Sequence, residues 1–293
     1  MVHFPVMSEE VMKYLAVRSG SKVADLTAGL GGHSKLIAAL LETGILVMND
    51  RDGESLLVAQ ENTREFAAKI RPTKGVFSTF PERFGQMGIG KLDGLLMDLG
   101  VSMKQLTEAD RGFSFRLEGP LDMRMSRDSE EDLTAGDVVN TFAEKELADI
   151  LYEYGEEWRS RAIARAVLRA RPITSTKHLA QVISQVAGAR DTKVSPATKS
   201  FMALRLFVNR EMEELKKFLE LLPGLMAPGG RVVTLTFMST EDRIVKQKFQ
   251  EFQKAGWATI LTKHVVKPGD EEIRRNPASR SAKLRALEWQ LSS

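Results

Sequence analysis

Cysteine is absent from the 293 residues, and that absence removes several chemistries at once. No disulfide, thiolate-held zinc or thiolate-held iron–sulfur cluster can form, and no cysteine nucleophile is available. Histidine is scarce: the four, at positions 3, 33, 178 and 264, show no metal-ligand spacing, so no metal is expected. No apolar stretch approaches the roughly 20 residues that cross a bilayer. The first residues, Met1-Val-His-Phe-Pro5, lack the basic, apolar, then small-residue order of a signal peptide, so a cytoplasmic location away from membranes is the expectation. The formal net charge is only +3, which does not announce a nucleic-acid binder, although local basic patches steer polyanions whatever the total.

What is present is a globular composition, 43% hydrophobic and 28% charged, long enough for a large α/β domain and a smaller one. Four short apolar runs stand out: Lys22–Asp25, Ile45–Asp50, Leu92–Asp98 and Arg231 to Phe237. Continuous Val, Leu and Ile runs of this length read as strands buried on both faces of a parallel sheet. Helical stretches, Ser34 to Glu42 ahead of Gly44 and Gly53 to Ile70 ahead of Pro72, separate the first three, giving a βαβ order. From about Leu106 to Val194 no strand-like run occurs. Thr141 with Glu144 has the capping-box spacing, Trp158 to Arg171 is amphipathic up to Pro172, and Ser195-Pro196 resembles a cap before a long helix reaching about Leu222. Ala258 to Val266 and Leu284 to Gln290 are further strand candidates. The fold class is therefore α/β, a Rossmann-like sheet with an inserted all-helical domain. The expected parts are 1–106 and 207–293 for the sheet domain, and 107–206 for the insertion.

The first strand runs into Asp25-Leu-Thr-Ala-Gly29-Leu-Gly31-Gly32-His33 and then a helix. Glycines allow a sharp turn and close approach of a ligand to backbone, at the rim where doubly wound folds bind cofactors. The dinucleotide fingerprint would need a third glycine at Ser34, so the spacing is wrong for a pyrophosphate. Asp50, about 20 residues further on, is placed to accept ribose hydroxyls. Together these suit an adenosine nucleoside such as S-adenosyl-L-methionine. A tight turn without a ligand is the plainer alternative. Asp98, in Asp98-Leu-Gly-Val-Ser102, would stand at the same rim. There it could accept the N–H of an amine nucleophile and orient its lone pair, or merely cap the next turn. Methylation at C5 of cytosine normally needs a cysteine, so this chain is restricted to acceptors such as amines or hydroxyls.

The order Asp25-x-Thr-x-Gly-x-Gly-Gly-His33, Asp50-Arg-Asp52, Met97-Asp-Leu-Gly-Val-Ser102, Gln105-Leu106, Arg111-Gly-Phe-Ser-Phe115, Pro120-Leu-Asp-Met-Arg-Met125, Tyr154-Gly-Glu-Glu157 and Glu241-Asp-Arg-Ile-Val-Lys246 resembles the RsmH (MraW) family. The resemblance runs from His3 to about Leu287. It implies an S-adenosylmethionine-dependent methyltransferase acting on the N4 amine of a cytidine in 16S ribosomal RNA, near the decoding centre. It implies cofactor contacts at Gly31, Gly32, His33, Asp50, Phe80, Asp98 and Gln105, with Asp50 on the ribose, Phe80 by the adenine and Asp98 catalytic. The partner implied is 16S rRNA within the small ribosomal subunit, and a homodimer is left open. Three positions depart from the family's usual polar residues: Ser195, Met202 and Met238. A relative acting on another RNA or on protein, or a non-catalytic rRNA-binding assembly factor, stays open on that account.

For RNA contact the candidates are Arg111, Phe113, Phe115, Arg274, Arg275 and Arg280. The arginines would meet phosphates and the phenylalanines would stack on a flipped base, unless they serve as core residues. Lys283 and Arg285 add to the C-terminal basic cluster. Arg161, Arg165 and Arg169 share one helix face by their spacing; phosphate contact is one reading of them, and a solvated face with Glu partners is the reading taken for these three alone.

Overall fold

Strand and helix alternate through the first hundred residues, as the apolar runs require. The computed structural model describes residues 5–128, 132–187 and 195–290; His3 and Val194 fall outside them. In chain order come α1 (Ser8–Leu15), β1 (Lys22–Asp25), α2 (Gly32–Leu40), β2 (Ile45–Asp50), α3 (Gly53–Asn62), β3 (Ile70–Lys74), α4 (Phe80–Gln86) and β4 (Leu92–Asp98). A helical stretch follows: α5 (Met103–Thr107), α6 (Ala135–Thr141), α7 (Glu144–Gly155), α8 (Ser160–Ala170), α9 (Thr176–Ala187) and α10 (Thr198–Val208). The chain closes with α11 (Glu211–Leu221), β5 (Met226–Thr236), α12 (Ser239–Lys254), β6 (Ala258–Ile260), α13 (Asp270–Arg275) and β7 (Lys283–Trp289). Two compact units result, a sheet unit of Met1–Gly100 with Glu213–Ser293 and a helical unit of Val101–Met212.

The sheet unit carries seven strands in the order β3-β2-β1-β4-β5-β7-β6. The pairs from β3 through β5 are parallel, and β7 runs antiparallel between β5 and β6. This is a doubly wound, Rossmann-like sheet whose order reverses between β1 and β4, the place where such folds bind ligands. Alternate residues feed two apolar layers. Ala24, Val47, Leu95 and Met97 face a cluster with Phe80, Phe218, Phe249 and Trp289. Val23, Leu46, Met48 and Leu96 face another with Ile37, Leu41 and Leu284.

Several expected boundaries move. The helix from Gly53 stops at Asn62, and Ile70–Lys74 is instead a strand at the sheet edge. Its Pro72 pairs with Met48 on one side only, so the missing N–H is tolerated there. The expected strand from Ala258 shortens to Ile260, with Val266 left in an isolated bridge to Leu284. The box expected at Thr141 and Glu144 is displaced: Thr134 and Asp137 cap α6, and the Glu146 carboxylate accepts the Ala143 N–H ahead of α7. The long helix after Ser195 begins at Thr198 and is broken at Asn209 and Arg210, the latter at φ 50°.

The helical unit has its own core, in which Phe113, Leu121, Met123, Leu147, Ile163 and Leu204 are buried together. Arg111-Gly-Phe-Ser-Phe115 and Pro120–Met125 interlock within it. The Met123 N–H donates to Arg111 O at 3.0 Å, and Arg111 Nη2 donates to Arg124 O and Met125 O at 3.1 and 2.8 Å. Asn209 clamps the same segment, donating to Met123 O and accepting from Met125 N, both at 2.7 Å. Gly112 sits at φ 72°, and a Cβ there would lie 2.3 Å from Pro120 O. Gly112→Ala is therefore expected to destabilise the protein by about 3 kcal/mol. Urea unfolding reads this, and a midpoint equal to wild type would contradict the interlock.

Candidate active site at the strand ends

Three adjacent parallel strands each end in aspartate: Asp50 on β2, Asp25 on β1 and Asp98 on β4. Asp25 is fully buried; its Oδ2 accepts the Ser34 hydroxyl at 2.6 Å and its Oδ1 the Thr27 N–H at 3.1 Å. Thr27 Oγ1 in turn accepts the Asp98 N–H at 2.6 Å, tying the end of β4 to the turn after β1. Asp50 Oδ2 accepts the Gly29 N–H at 2.7 Å and its Oδ1 the Asp52 N–H at 2.9 Å. Asp50 thus shapes the glycine turn, and its remaining lone pairs are open to hydroxyl donors.

Gly31 has a packing reason of its own. At φ 86° it lets α2 approach α3 so closely that a Cβ would meet Ala59 Cα at 3.1 Å. His33, buried in the first turn of α2, places Nε2 at 3.7 Å from Asp98 Oδ2. Asp98 is partly exposed, yet its Oδ1 is buried with no hydrogen-bond partner among the described residues. Burial pushes its carboxyl up to about 8, and the charges of Asp25 and Glu241 add to the rise. Burial also raises Asp25 and Asp50, each to about 6. Such a rim repels phosphates and favours a ligand that brings N–H, O–H or positive charge.

The sequence reading names Glu241 only within a family motif and gives it no role in the site. It is buried in the first turn of α12, where its carboxylate accepts the Phe237 and Met238 N–H groups, each at 3.1 Å. The spacing Met238-Ser-Thr-Glu241 carries half of a capping box, the one signal available. Met238 itself is buried. Phe80 is fully buried against Phe84 and Phe218. Its ring has no exposed surface, so an adenine meets it only if the side chains over it shift.

Gln105 belongs to the helical unit. Its Oε1 accepts the Ser102 N–H at 3.0 Å, and its own N–H donates to Ser102 Oγ, a reciprocal cap on α5. Two RNA candidates are corrected. Arg111 is 1% exposed and donates to the backbone carbonyls described above, so it is not presented to a phosphate. Phe113 is buried in the helical core. Phe115 is partly buried and packs edge-on against Phe201 at 5.1 Å. Arg274, Arg275 and Arg280 are exposed, but α13 begins with Asp270, Glu271 and Glu272, and Arg275 pairs with Glu271. Arg285 is neutralised by Asp242 at 2.7 Å.

The fold and the rim together define a doubly wound α/β protein with a candidate ligand site at the ends of its parallel strands. The chain belongs to the MraW methylase family, whose profile matches residues 1–290. It is 53% identical to the ribosomal RNA small subunit methyltransferase H of Solibacter usitatus, over 98% of this chain and 99% of that protein. It is 47% identical to the proteins of that name from Acidobacterium capsulatum, over 98% of each chain, and Koribacter versatilis, over 97% of this chain and 93% of that one.

The raised Asp98 carboxyl fixes a pH dependence. Between its ordinary value of 3.8 and about 8 the folded chain holds a proton that the unfolded chain has lost, so stability falls as pH rises through this window. Asp98→Asn removes that loss. The variant should match wild type near pH 4 and exceed it above pH 8, by at least about 1 kcal/mol, the worth of a single pKa unit. Denaturant melts at both pH values test this; a constant difference would contradict it.

Proposed function

We propose that this protein is an S-adenosylmethionine-dependent methyltransferase acting on the N4 amine of a cytidine in 16S ribosomal RNA, near the decoding centre. The observation that carries the reading is Asp98, a carboxylate at the sheet's reversal point with a buried oxygen that lacks a donor among the described residues. The curated relatives' name, ribosomal RNA small subunit methyltransferase H, supplies the substrate class. The rim fits the cofactor. Asp50 accepts ribose hydroxyls with the lone pairs left by Gly29 and Asp52, the turn at Gly31 and Gly32 brings backbone close, and three acids suit a cation. Bound there, the cofactor supplies a methyl group on a positively charged sulfonium.

Asp98 accepts an N–H of the amine and turns the nitrogen lone pair outward, so part of the barrier is met by orientation. That task needs the carboxylate. A cation beside Asp98 lowers its affinity for the proton, so cofactor binding at pH 7 is expected to release protons. Calorimetry in buffers of differing ionisation enthalpy detects this, and a heat independent of buffer would contradict it.

Activity itself is tested with small subunits lacking the modification and a radiolabelled methyl donor, followed by mass spectrometry of the rRNA nucleosides. Label is expected on N4-methylcytidine. Asp98→Ala should lower kcat by about 100-fold or more while the fold persists. Label confined to protein, or undiminished turnover in the variant, would overturn the reading.

A further inference from the structure

The widest apolar exposure among the described residues is on the helical unit. Trp158, just ahead of α8, is 82% exposed, and its ring meets that of Tyr152, 52% exposed, edge-on at 6.2 Å. The helix it introduces is amphipathic in an unusual way. Ile163, Ala164 and Val167 are buried, while Arg161, Arg165 and Arg169 stand exposed on the other side. From Arg159 to Arg171 there is no acidic residue. The two end arginines are held by backbone: Arg159 donates to Val186 O at 3.3 Å, and Arg171 to Val139 O and Phe142 O at 2.7 and 2.6 Å. The three between them make no ion pair among the described residues; Arg169 donates only to Arg165 O, at 3.3 Å. A solvated helix face of ordinary kind would carry carboxylate partners, as α13 does.

We propose that Arg161, Arg165 and Arg169 form a phosphate track, with Trp158 a stacking platform at its head, for a single-stranded segment of the substrate RNA. The inference rests on the rRNA reading above and names the surface that engages the RNA. Three guanidinium groups at four-residue spacing cover about 12 Å of helix axis. An uncompensated cationic row attracts a polyanion, and an exposed indole beside it offers a face to any base. Neither feature alone selects RNA over an acidic protein; a wide aromatic face heading a phosphate track does.

The test measures binding of the full chain to a short single-stranded oligoribonucleotide across a salt series. Wild type should lose affinity with a log–log slope of about −2, from three phosphates neutralised. The triple substitution Arg161→Gln, Arg165→Gln, Arg169→Gln should flatten that slope by about 2. Trp158→Ala should weaken binding by about tenfold and leave the slope unchanged. Both variants should bind S-adenosylmethionine as wild type does, which shows the sheet unit folded, and both should raise KM for small subunits more than they lower kcat. Slopes equal to wild type in the triple variant, or undiminished binding by Trp158→Ala, overturn the proposal while rRNA methylation by wild type stands. Label confined to protein in the wild-type reaction removes the rRNA reading itself, and the track with it.

Discussion

Three carboxylates held side by side in a place that disfavours their charge are the constraint on which the rest of the site depends. Parallel pairing of β2, β1 and β4 puts Asp50, Asp25 and Asp98 at one rim, because each ends its strand on the same edge. Desolvation raises all three, and the charge of Asp25 adds to the rise at Asp50 and Asp98. Two of them are made tolerable by fixed donors: Ser34 and Thr27 for Asp25, Gly29 and Asp52 for Asp50. Asp98 differs, since one of its oxygens is buried with no donor among the described residues. A buried acceptor left incomplete is costly in a finished core, and this one stands at the sheet's reversal point, which is why Asp98 is the centre of the proposed site. The glycine turn follows from the same constraint. It carries the Gly29 amide to Asp50 and, through Thr27, fixes the height of the Asp98 backbone.

Much of this was legible in the chain. Strands β1, β2 and β4 begin and end where the apolar runs Lys22–Asp25, Ile45–Asp50 and Leu92–Asp98 do, because a strand buried on both faces has no reason to mix polar residues into its length. What was not legible depends on position within the sheet. Ile70-Arg-Pro-Thr-Lys74 lacks such a run, since an edge strand exposes Arg71, Pro72 and Lys74, so its pattern passes for the tail of a helix. The role of Glu241 hid for another reason. Its spacing from Met238 suggests a helix start, but only the fold shows that its charge adds to the environment of Asp98.

The family-specific motifs have a physical meaning that their use as a signature does not suggest. Arg111 and Asn209, far apart in sequence, bind the same segment, 123–125, through its backbone. Arg111 is charged and almost wholly buried, so it is tolerable only because carbonyl oxygens take its N–H groups. The motif pair therefore holds the helical unit in shape. Arg111 and Phe113, whose type suggested RNA contact, are internal framework of the helical unit.

The position of the proposed RNA surface turns on compensation rather than on counts of basic residues. The C-terminal segment looks the more basic in sequence, with Arg274, Arg275, Arg280, Lys283 and Arg285 close together. Folded, Arg275 pairs with Glu271 and Arg285 with Asp242, and Asp270 and Glu272 lie in the first turn of the same short helix, so part of its field is cancelled at short range. Helix α8 looks unremarkable by number, but its three outward arginines meet no acid among the described residues. A net charge of +3 conceals this, since paired charges add to the tally on both sides and contribute little at a distance. A polyanion responds to the uncancelled part of the field, and in the helical unit that part runs along one face of α8 from the exposed indole of Trp158.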